Sequence, residues 1–190
     1  MADEQKPAPP PAPTSSKPPA EMAATPWEGE LPVRLRERFG ERVQACQSYV
    51  GQNFVVVEPG AVIEILEYLK VEEDFEYLVD VTAVHYPKRE RPFELFYILY
   101  AFPPRNERIR VKTTLAEGEE ATTATGLYAG ADWTEREVYD MFGILFAGHP
   151  NMTRILLPED WQGYPLRKEY GIIQQDTRWV QENLQIESGQ

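Results

Sequence analysis

Residues 95–102, LFYILYAF, form a run of eight apolar or aromatic side chains without a charge. Eight residues are too few to cross a bilayer as a helix, which takes about 20. A strand that is apolar on both faces belongs in the interior of a sheet and is covered on both sides. The run therefore predicts an interior strand, with a second cover that another chain could supply.

The segments around this run carry alternating helix and strand patterns. Helices are expected at residues 31–39 and 61–70, bounded by Gly40 and by Pro59-Gly60. Strands are expected at residues 43–50, 54–57, 77–86, 93–101 and 108–115. The order α-β-β-α-β-β-β predicts an α+β fold with a mixed sheet, followed by a polar connector at 117–125, a further helix and an extended C-terminal segment.

The two ends of the chain differ in composition from its middle. Residues 1–26 contain eight of the seventeen prolines and almost no large apolar side chain. Such a stretch cannot bury enough surface to become ordered, so we expect a disordered or polyproline leader, with a partner-binding arm as the alternative. The expected organisation is a leader at 1–26, an α/β domain at 27–145 and an extended partner-binding segment at 146–190, with a last helix at 176–184.

Composition and motifs exclude several classes of function. A net charge of −12 and a pI near 4.7 speak against nucleic acid and anionic membranes as partners. Cys46 is the one cysteine and His85 and His149 are the only histidines, so a metal site or cysteine-bound cluster is not expected. The chain has no glycine-rich phosphate loop and no nucleophile elbow. We therefore expect no cofactor and no catalytic residue on this chain.

The helix after the connector carries an unusual arrangement of charges. It is expected at residues 133–142, with Asp132 as its N-cap and Gly143 as its stop. At about 100° per residue, Glu137 falls inside the apolar half of this helix, on the side of Trp133. The helix would then bring the Glu137 carboxylate into a packed surface, where it needs a cation or hydrogen-bond donors.

Several carboxylates on one helix also suit general acid–base catalysis. However, Glu135 lies about 160° from Glu137 around the helix, and Arg136 is placed four residues from Asp140, where the two can pair. A structural ion-pair cluster is therefore the favoured interpretation. Its expected members are Glu135, Arg136, Glu137 and Asp140, with Arg154 and Arg167 as candidate partners of Glu137.

Cations and large aromatic residues follow the helix within a short stretch. This composition is typical of protein interfaces, whereas a solvated tail would not need so many aromatic rings. His149, in a Gly-His-Pro turn, could carry protons, but a loop or interface contact is the favoured role. The expected interface residues are His149, Arg154, Trp161, Tyr164, Arg167, Lys168 and Tyr170.

These residues carry a resemblance to a known family. The blocks are Glu135-Arg136-Glu137, Asp140, Phe142-Gly143-Ile144, Gly148-His149-Pro150, Arg154-Ile155-Leu156 and Pro165-Leu166-Arg167-Lys168. In this order they resemble the signature of the C subunit of NADH-quinone oxidoreductase, the 30-kilodalton subunit of respiratory complex I. The similarity spans roughly residues 54–172. It departs from the family at Thr153, Tyr164 and Glu169, where Arg, His and Asp are usual.

The resemblance implies a two-layer α/β sandwich and a structural subunit of an NADH:quinone oxidoreductase. Such a subunit lies in the peripheral arm next to complex I subunits D, B and I, and packs against the first of these, which forms much of the quinone pocket. Flavin mononucleotide and the iron–sulfur clusters are then carried by other subunits of this proton-translocating complex, on the cytoplasmic side of the bacterial inner membrane. The equivalent subunit of a related membrane-bound hydrogenase is the alternative. A free-standing acidic hydrolase is a third hypothesis, weakened by the missing triad.

Overall fold

The computed structural model describes residues 23–170 and Glu182. Its main sheet comprises β1 (Thr25–Pro26), β2 (Val43–Tyr49), β3 (Gln52–Val57), β4 (Tyr77–His85), β5 (Phe93–Ala101) and β6 (Glu107–Leu115). The helices are α1 (Glu30–Phe39), α2 (Val62–Glu72) and α3 (Ala131–Phe142). Two further strands, β7 (Ala121–Thr122) and β8 (Phe146–Ala147), form a separate parallel pair. Residues 1–22 of the expected leader, the helix expected at 176–184 and the last residues lie outside the described part, apart from Glu182.

The main sheet has the strand order β1-β2-β3-β6-β5-β4. Its neighbouring strands run antiparallel except β3 and β6, which are parallel. A parallel pair needs a long crossover connection, and here the chain passes through α2, β4 and β5 before it returns as β6. The predicted order α-β-β-α-β-β-β and the mixed sheet are confirmed.

Strand β5 lies in the sheet interior as predicted, but it is not covered on both faces within the described chain. Its residues alternate, with Phe93, Leu95, Tyr97 and Leu99 buried and the side chains between them half-buried. The buried side joins one hydrophobic cluster with the inner sides of the helices, such as Leu35 on α1. The other side of the sheet, which we call the open face, carries Phe96 and its neighbours.

Helix α3 begins two residues earlier than expected and turns a different side to the core. Asp132 lies in its first turn and makes no capping hydrogen bond, while Gly143 ends the helix in the left-handed conformation as expected. The core side carries Ala131, Glu135, Val138 and Phe142, together with Asp140. Glu137 is exposed and the side chain of Trp133 is 62% exposed, so the expectation that Glu137 enters the packed surface is wrong.

The physical reason is the spacing of the core positions on α3. Steps of four, three and four residues lead from Ala131 to Phe142, which is the period of a helix side that faces a sheet. Glu135 occupies one of these positions, about 20° beyond Phe142, so a polarity-based helical wheel leaves it just outside the apolar half and centres the buried side closer to Trp133. Trp133, at the far end of the expected apolar half, is instead left on the surface, while Val138 and Phe142 at its other end are buried.

The segment after α3 is irregular but is held against its own chain. Strand β8 pairs with β7, which lies inside the connector expected at 117–125. The amide of Leu166 donates to the carbonyl of Met141 at 3.1 Å. At the other end, Thr25–Pro26 pairs with β2, so the sheet includes two residues of the expected leader. No helix in the described ranges is long and apolar enough to cross a membrane.

Candidate functional site

The candidate site is the set of contacts that fixes residues 151–170 on α3, and Asp140 is its centre. One carboxylate oxygen of Asp140 accepts a hydrogen bond from Arg154 Nη1 at 2.6 Å. The other oxygen accepts three backbone N–H groups, from Ile155, Leu156 and Leu157, at 3.1, 2.8 and 3.0 Å. One fully buried side chain therefore fixes three consecutive peptide units.

This environment keeps Asp140 ionised. Burial alone would raise its pKa, but the three backbone donors and the Arg154 guanidinium outweigh burial and lower the pKa. A buried charge is tolerated when it is paired and fully hydrogen-bonded, which is the case here. The folded state is thus stabilised by Asp140 in its charged form.

Arg154 connects α3 to the far end of the segment. Besides Asp140, its guanidinium donates to the carbonyls of Trp161 and Gly163 at 3.2 and 3.0 Å. Its side chain is only 10% exposed. Arg154 therefore links α3 to residues 161–163 through buried contacts, and its side chain exposes little surface to a partner.

Tyr164 covers the end of α3 and is enclosed by cations. Arg154 and Arg167 lie over its ring, at 5.2 and 5.0 Å from the ring centroid. Arg167 also donates to the carbonyl of Phe142 at 2.6 Å and to Glu117 at 2.8 Å. The ring lies so close to Gly143 that a Cβ there would be 2.5 Å from Tyr164 Cε2.

Glu135 is the second buried carboxylate of α3, and its surroundings are different. Its oxygens accept hydrogen bonds from the Thr123 hydroxyl at 2.6 Å and the Ala124 amide at 2.7 Å. Both donors are neutral. Burial raises the pKa of Glu135 to about 7 against these two hydrogen bonds, and the nearby charge of Asp132 raises it further.

His149 lies beside Glu135 with its side chain fully buried. Its Nδ1 accepts a hydrogen bond from the Asn151 amide at 3.0 Å, so the proton of the neutral ring is on Nε2. Nε2 lies 3.2 Å from the carbonyl oxygen of Asp132 and 4.0 Å from Glu135 Oε2. The imidazole therefore has no surface to offer to a partner and holds the turn after β8 against α3.

His85, at the end of β4, holds the last part of the segment. Its Nδ1 accepts a hydrogen bond from the Lys168 amide at 3.1 Å and lies 3.2 Å from a carboxylate oxygen of Glu169. The ring stacks on Phe93 with a centroid distance of 4.7 Å. The Lys168 side chain is exposed.

The structure corrects two pairings expected from the sequence. Arg136 does not pair with Asp140; it donates to the carbonyl and hydroxyl oxygens of Thr153 at 3.0 Å each. Neither Arg154 nor Arg167 compensates Glu137, because they pair with Asp140 and Glu117 instead. Glu135 and Asp140 thus form two separate buried sites with different partners, and the expected single cluster of four charges is not present.

Sequence reasoning missed the apolar side chains that this network leaves on the surface. Leu156 and Leu166 are 60% and 51% exposed, and Leu145 is 43% exposed. Their signal was present in a turn-rich stretch, where Leu145 and Leu156 lie in short apolar runs and Leu166 lies between Pro165 and Arg167. Of the expected interface residues, Trp161, Tyr164 and Tyr170 are half-buried.

Among the residues that the structure describes, no group of three or more His, Cys, Asp or Glu side chains could hold a metal ion. The charges and hydrogen-bonding groups named above are used to fix backbone. What the site can do is hold an irregular segment in one conformation.

Comparison with known proteins gives a consistent result. The sequence model described as "Respiratory-chain NADH dehydrogenase, 30 Kd subunit" matches residues 55–176. The NADH-quinone oxidoreductase C subunit of Citrifermentans bemidjiense is 44% identical over 139 residues, which is 73% of this chain and 86% of the relative. The Brucella ovis protein of the same name is 40% identical over 144 residues, 75% of this chain and 71% of the relative.

Solved structures agree on the fold. A trypsin-resistant fragment of Nqo5 superposes with a TM-score of 0.57 at 28% identity, over 64% of this chain and 98% of the fragment. A chain of an archaeal membrane-bound sulfane sulfur reductase has a TM-score of 0.67 at 23% identity, over 82% of this chain and 90% of its own length. The second likeness concerns the fold alone.

Fold, site and sequence together define an α+β protein of the kind found as a subunit in respiratory-chain complexes. The chain belongs to the family of respiratory-chain NADH dehydrogenase 30 Kd subunits. The resemblance carried by the blocks between Glu135 and Lys168 is confirmed.

Proposed function

We propose that this chain is a structural and assembly subunit, without a redox centre of its own, of a proton-translocating NADH:quinone oxidoreductase. It lies in the peripheral arm beside subunits D, B and I, and packs against the first of these, the quinone-pocket subunit. The flavin and the iron–sulfur clusters are carried by other subunits, on the cytoplasmic side of the bacterial inner membrane. Family membership and the names of the relatives support this function.

One observation carries the proposal: the backbone at Leu156 and Leu166 is fixed while both side chains are exposed. The amide of Leu156 donates to Asp140, and that of Leu166 to the carbonyl of Met141. Their side chains are 60% and 51% exposed. Apolar side chains on a fixed backbone lose little conformational entropy on binding, which favours a preorganised protein interface.

The expected interface residues therefore have two different roles, according to whether the side chain is enclosed or exposed. Arg154 and Arg167 act from inside, since each is largely enclosed and bonded to its own chain. The direct contacts to the quinone-pocket subunit come from the exposed side chains, namely Leu156, Leu166 and Lys168. Trp133, on the outer side of α3, extends this surface.

The test uses the affinity-tagged full chain in its own organism, carrying Leu156→Lys and Leu166→Lys together. Gently solubilised membranes are analysed by native mass spectrometry. We expect the unmodified chain in a large assembly with flavin- and cluster-bearing subunits, and the double variant folded but unassembled. Val71→Lys on α2 is the matched control, because Val71 is 70% exposed and belongs to another element.

Three results would change this picture. Recovery of the unmodified chain as a lone 21.8-kilodalton monomer would contradict the proposal. Normal assembly of the double variant would remove Leu156 and Leu166 from the interface. Co-purification with a nickel-bearing large subunit would favour the related hydrogenase instead.

A further inference from the structure

The open face of the sheet contains a groove of about 460 Å³ that crosses several strands. Aromatic residues of four chain segments line it, namely Tyr49, Phe54, Tyr86 and Phe96. Phe54 is 8% exposed and forms part of the floor, whereas Tyr49 at the edge is 37% exposed. The buried residues of the helices join the core cluster on the opposite side of β5 and β6, together with Leu95 and Val111.

Charged groups lie among these rings. Lys112 is placed over Phe54 and Phe96, at 4.8 and 5.0 Å from the ring centroids, and pairs with Glu94 at 3.5 Å. Arg110 donates to Gln52 at 2.7 Å. A groove of aromatic rings with polar groups between them suits proline-rich segments, which present flat apolar rings and free carbonyl groups.

The chain itself supplies a proline-rich segment at the end of this groove. Ala24 lines the groove, and β1 fixes the next two residues by pairing with Ser48 and Gln47 of β2. The leader therefore starts at the groove, although residues 1–22 lie outside the described part. Seven prolines occur in those 22 residues.

The reach of the leader matches the width of the sheet. From β1 to β5 there are four strand spacings, about 19 Å at about 4.8 Å each. Pro19 and Pro18 precede Ala24 by five and six residues, about 16 to 19 Å in an extended proline-rich chain. A leader laid along the groove from Ala24 thus brings these two prolines to the level of Phe96.

We propose that the proline-rich leader, residues 1–22, docks in this groove of its own chain. Pro18 and Pro19 pack against Phe96 and Tyr86, and Glu21, about 9 Å from Ala24, lies at β3 next to the strand that carries Arg110. Because the leader is covalently attached beside the groove, its effective concentration there is on the order of millimolar, so weak contacts suffice. The docked leader covers the apolar part of the open face in the free subunit.

Paramagnetic relaxation in the full chain tests this contact. A nitroxide is attached at Ser16→Cys, two residues from Pro18; Cys46 is 2% exposed and does not compete for the label. We expect loss of the amide signals of Phe96 and Tyr86, with that of Val71 on α2 retained. The same labelled chain with Pro18→Gly and Pro19→Gly should recover the Phe96 signal. These changes lie in the leader and leave the folded domain intact.

The outcomes separate this proposal from its competitors. Retention of the Phe96 signal, equal loss at Val71, or no recovery in the double glycine variant would overturn it. A further check uses a mixture of two preparations: chain that carries the nitroxide but no ¹⁵N, and ¹⁵N-enriched chain that carries no nitroxide. Loss of the Phe96 signal in that mixture would mean that a second copy occupies the groove. The measurement uses the free subunit, so its result does not depend on the proposed assembly.

Discussion

At the scale of single residues, α3 holds two buried carboxylates with opposite electrostatics. The pKa of Asp140 is lowered because three backbone amides and Arg154 outweigh its burial. The pKa of Glu135 is raised to about 7 because burial outweighs its two neutral donors, and Asp132 adds to the shift. Charge is thus stabilised at Asp140 and opposed at Glu135, although both side chains are fully buried.

Replacing Asp140 with alanine should strongly destabilise the protein. The change leaves the Arg154 guanidinium without its counter-ion and three backbone amides without an acceptor. Losing one member of a buried ion pair costs about 3–5 kcal/mol. Urea unfolding measures the loss, and limited proteolysis should show faster cleavage within residues 151–170.

Glu137→Ala on the same helix is the matched control. Glu137 is exposed, and surface substitutions usually change stability by less than about 0.5 kcal/mol. Equal destabilisation by the two variants would contradict the assignment of Asp140 as the anchor. It would support the helical-wheel expectation that Glu137 is the critical carboxylate.

At the scale of elements, the end of α3 and the segment after it form one unit. Gly143 ends the helix with φ of 76°, and its amide still bonds to the carbonyl of Tyr139 at 2.8 Å. Tyr164 lies directly against Gly143 and is held there by Arg154 and Arg167. A side chain at position 143 would therefore disturb the helix end and the segment together.

Gly143→Ala should destabilise the protein by two additive effects. The left-handed conformation costs a residue with a Cβ about 1–3 kcal/mol, and the new Cβ would also push Tyr164 out from between its two arginines. Gly118→Ala isolates the first effect, since Gly118 has the same φ of 76° with nothing within 4 Å of a Cβ. Thermal unfolding of both variants gives the comparison. Equal losses would mean that the Tyr164 contact is unimportant.

At the scale of the whole molecule, a third buried carboxylate, outside α3, joins distant elements. Glu73, just after α2, accepts hydrogen bonds from Arg34 of α1 at 2.7 and 2.8 Å and from Arg105 at 3.0 Å. Tyr68 donates to it at 2.7 Å. Burial opposes ionisation of Glu73, but these donors outweigh it and lower its pKa to about 2.

The contributions of Glu73 and Glu135 to the free energy of unfolding should change with pH in opposite directions. At Glu73 the unfolded chain binds more protons than the folded chain. The contribution of Glu73 to stability is therefore present above about pH 4.5 and is lost as the pH falls toward 2. At Glu135 the folded chain binds more protons than the unfolded chain. The contribution of Glu135 to stability is therefore present below about pH 4.5 and is lost as the pH rises through 7. These two groups together favour a maximum near pH 4.5.

Urea unfolding across this range, with Glu73→Gln and Glu135→Gln, checks the assignment. For Glu73→Gln, the difference in the free energy of unfolding from the unmodified chain should vary with pH only between about pH 2 and 4.5. For Glu135→Gln it should vary only between about 4.5 and 7. Each variant serves as the control for the other, and a pH-independent difference in either would refute the corresponding assignment.

The sequence by itself determined the order of helices and strands, the interior position of β5, the glycine stop of α3 and the family. These follow from local spacing and residue type, which act over a few neighbouring positions. Only the tertiary structure decided which side of α3 is buried and which cation meets which carboxylate. The donors to Asp140 come from 14 to 17 residues downstream, in a segment without periodicity. Glu135 is buried because the connector places two donors beside it, and a helical wheel contains no information about such donors.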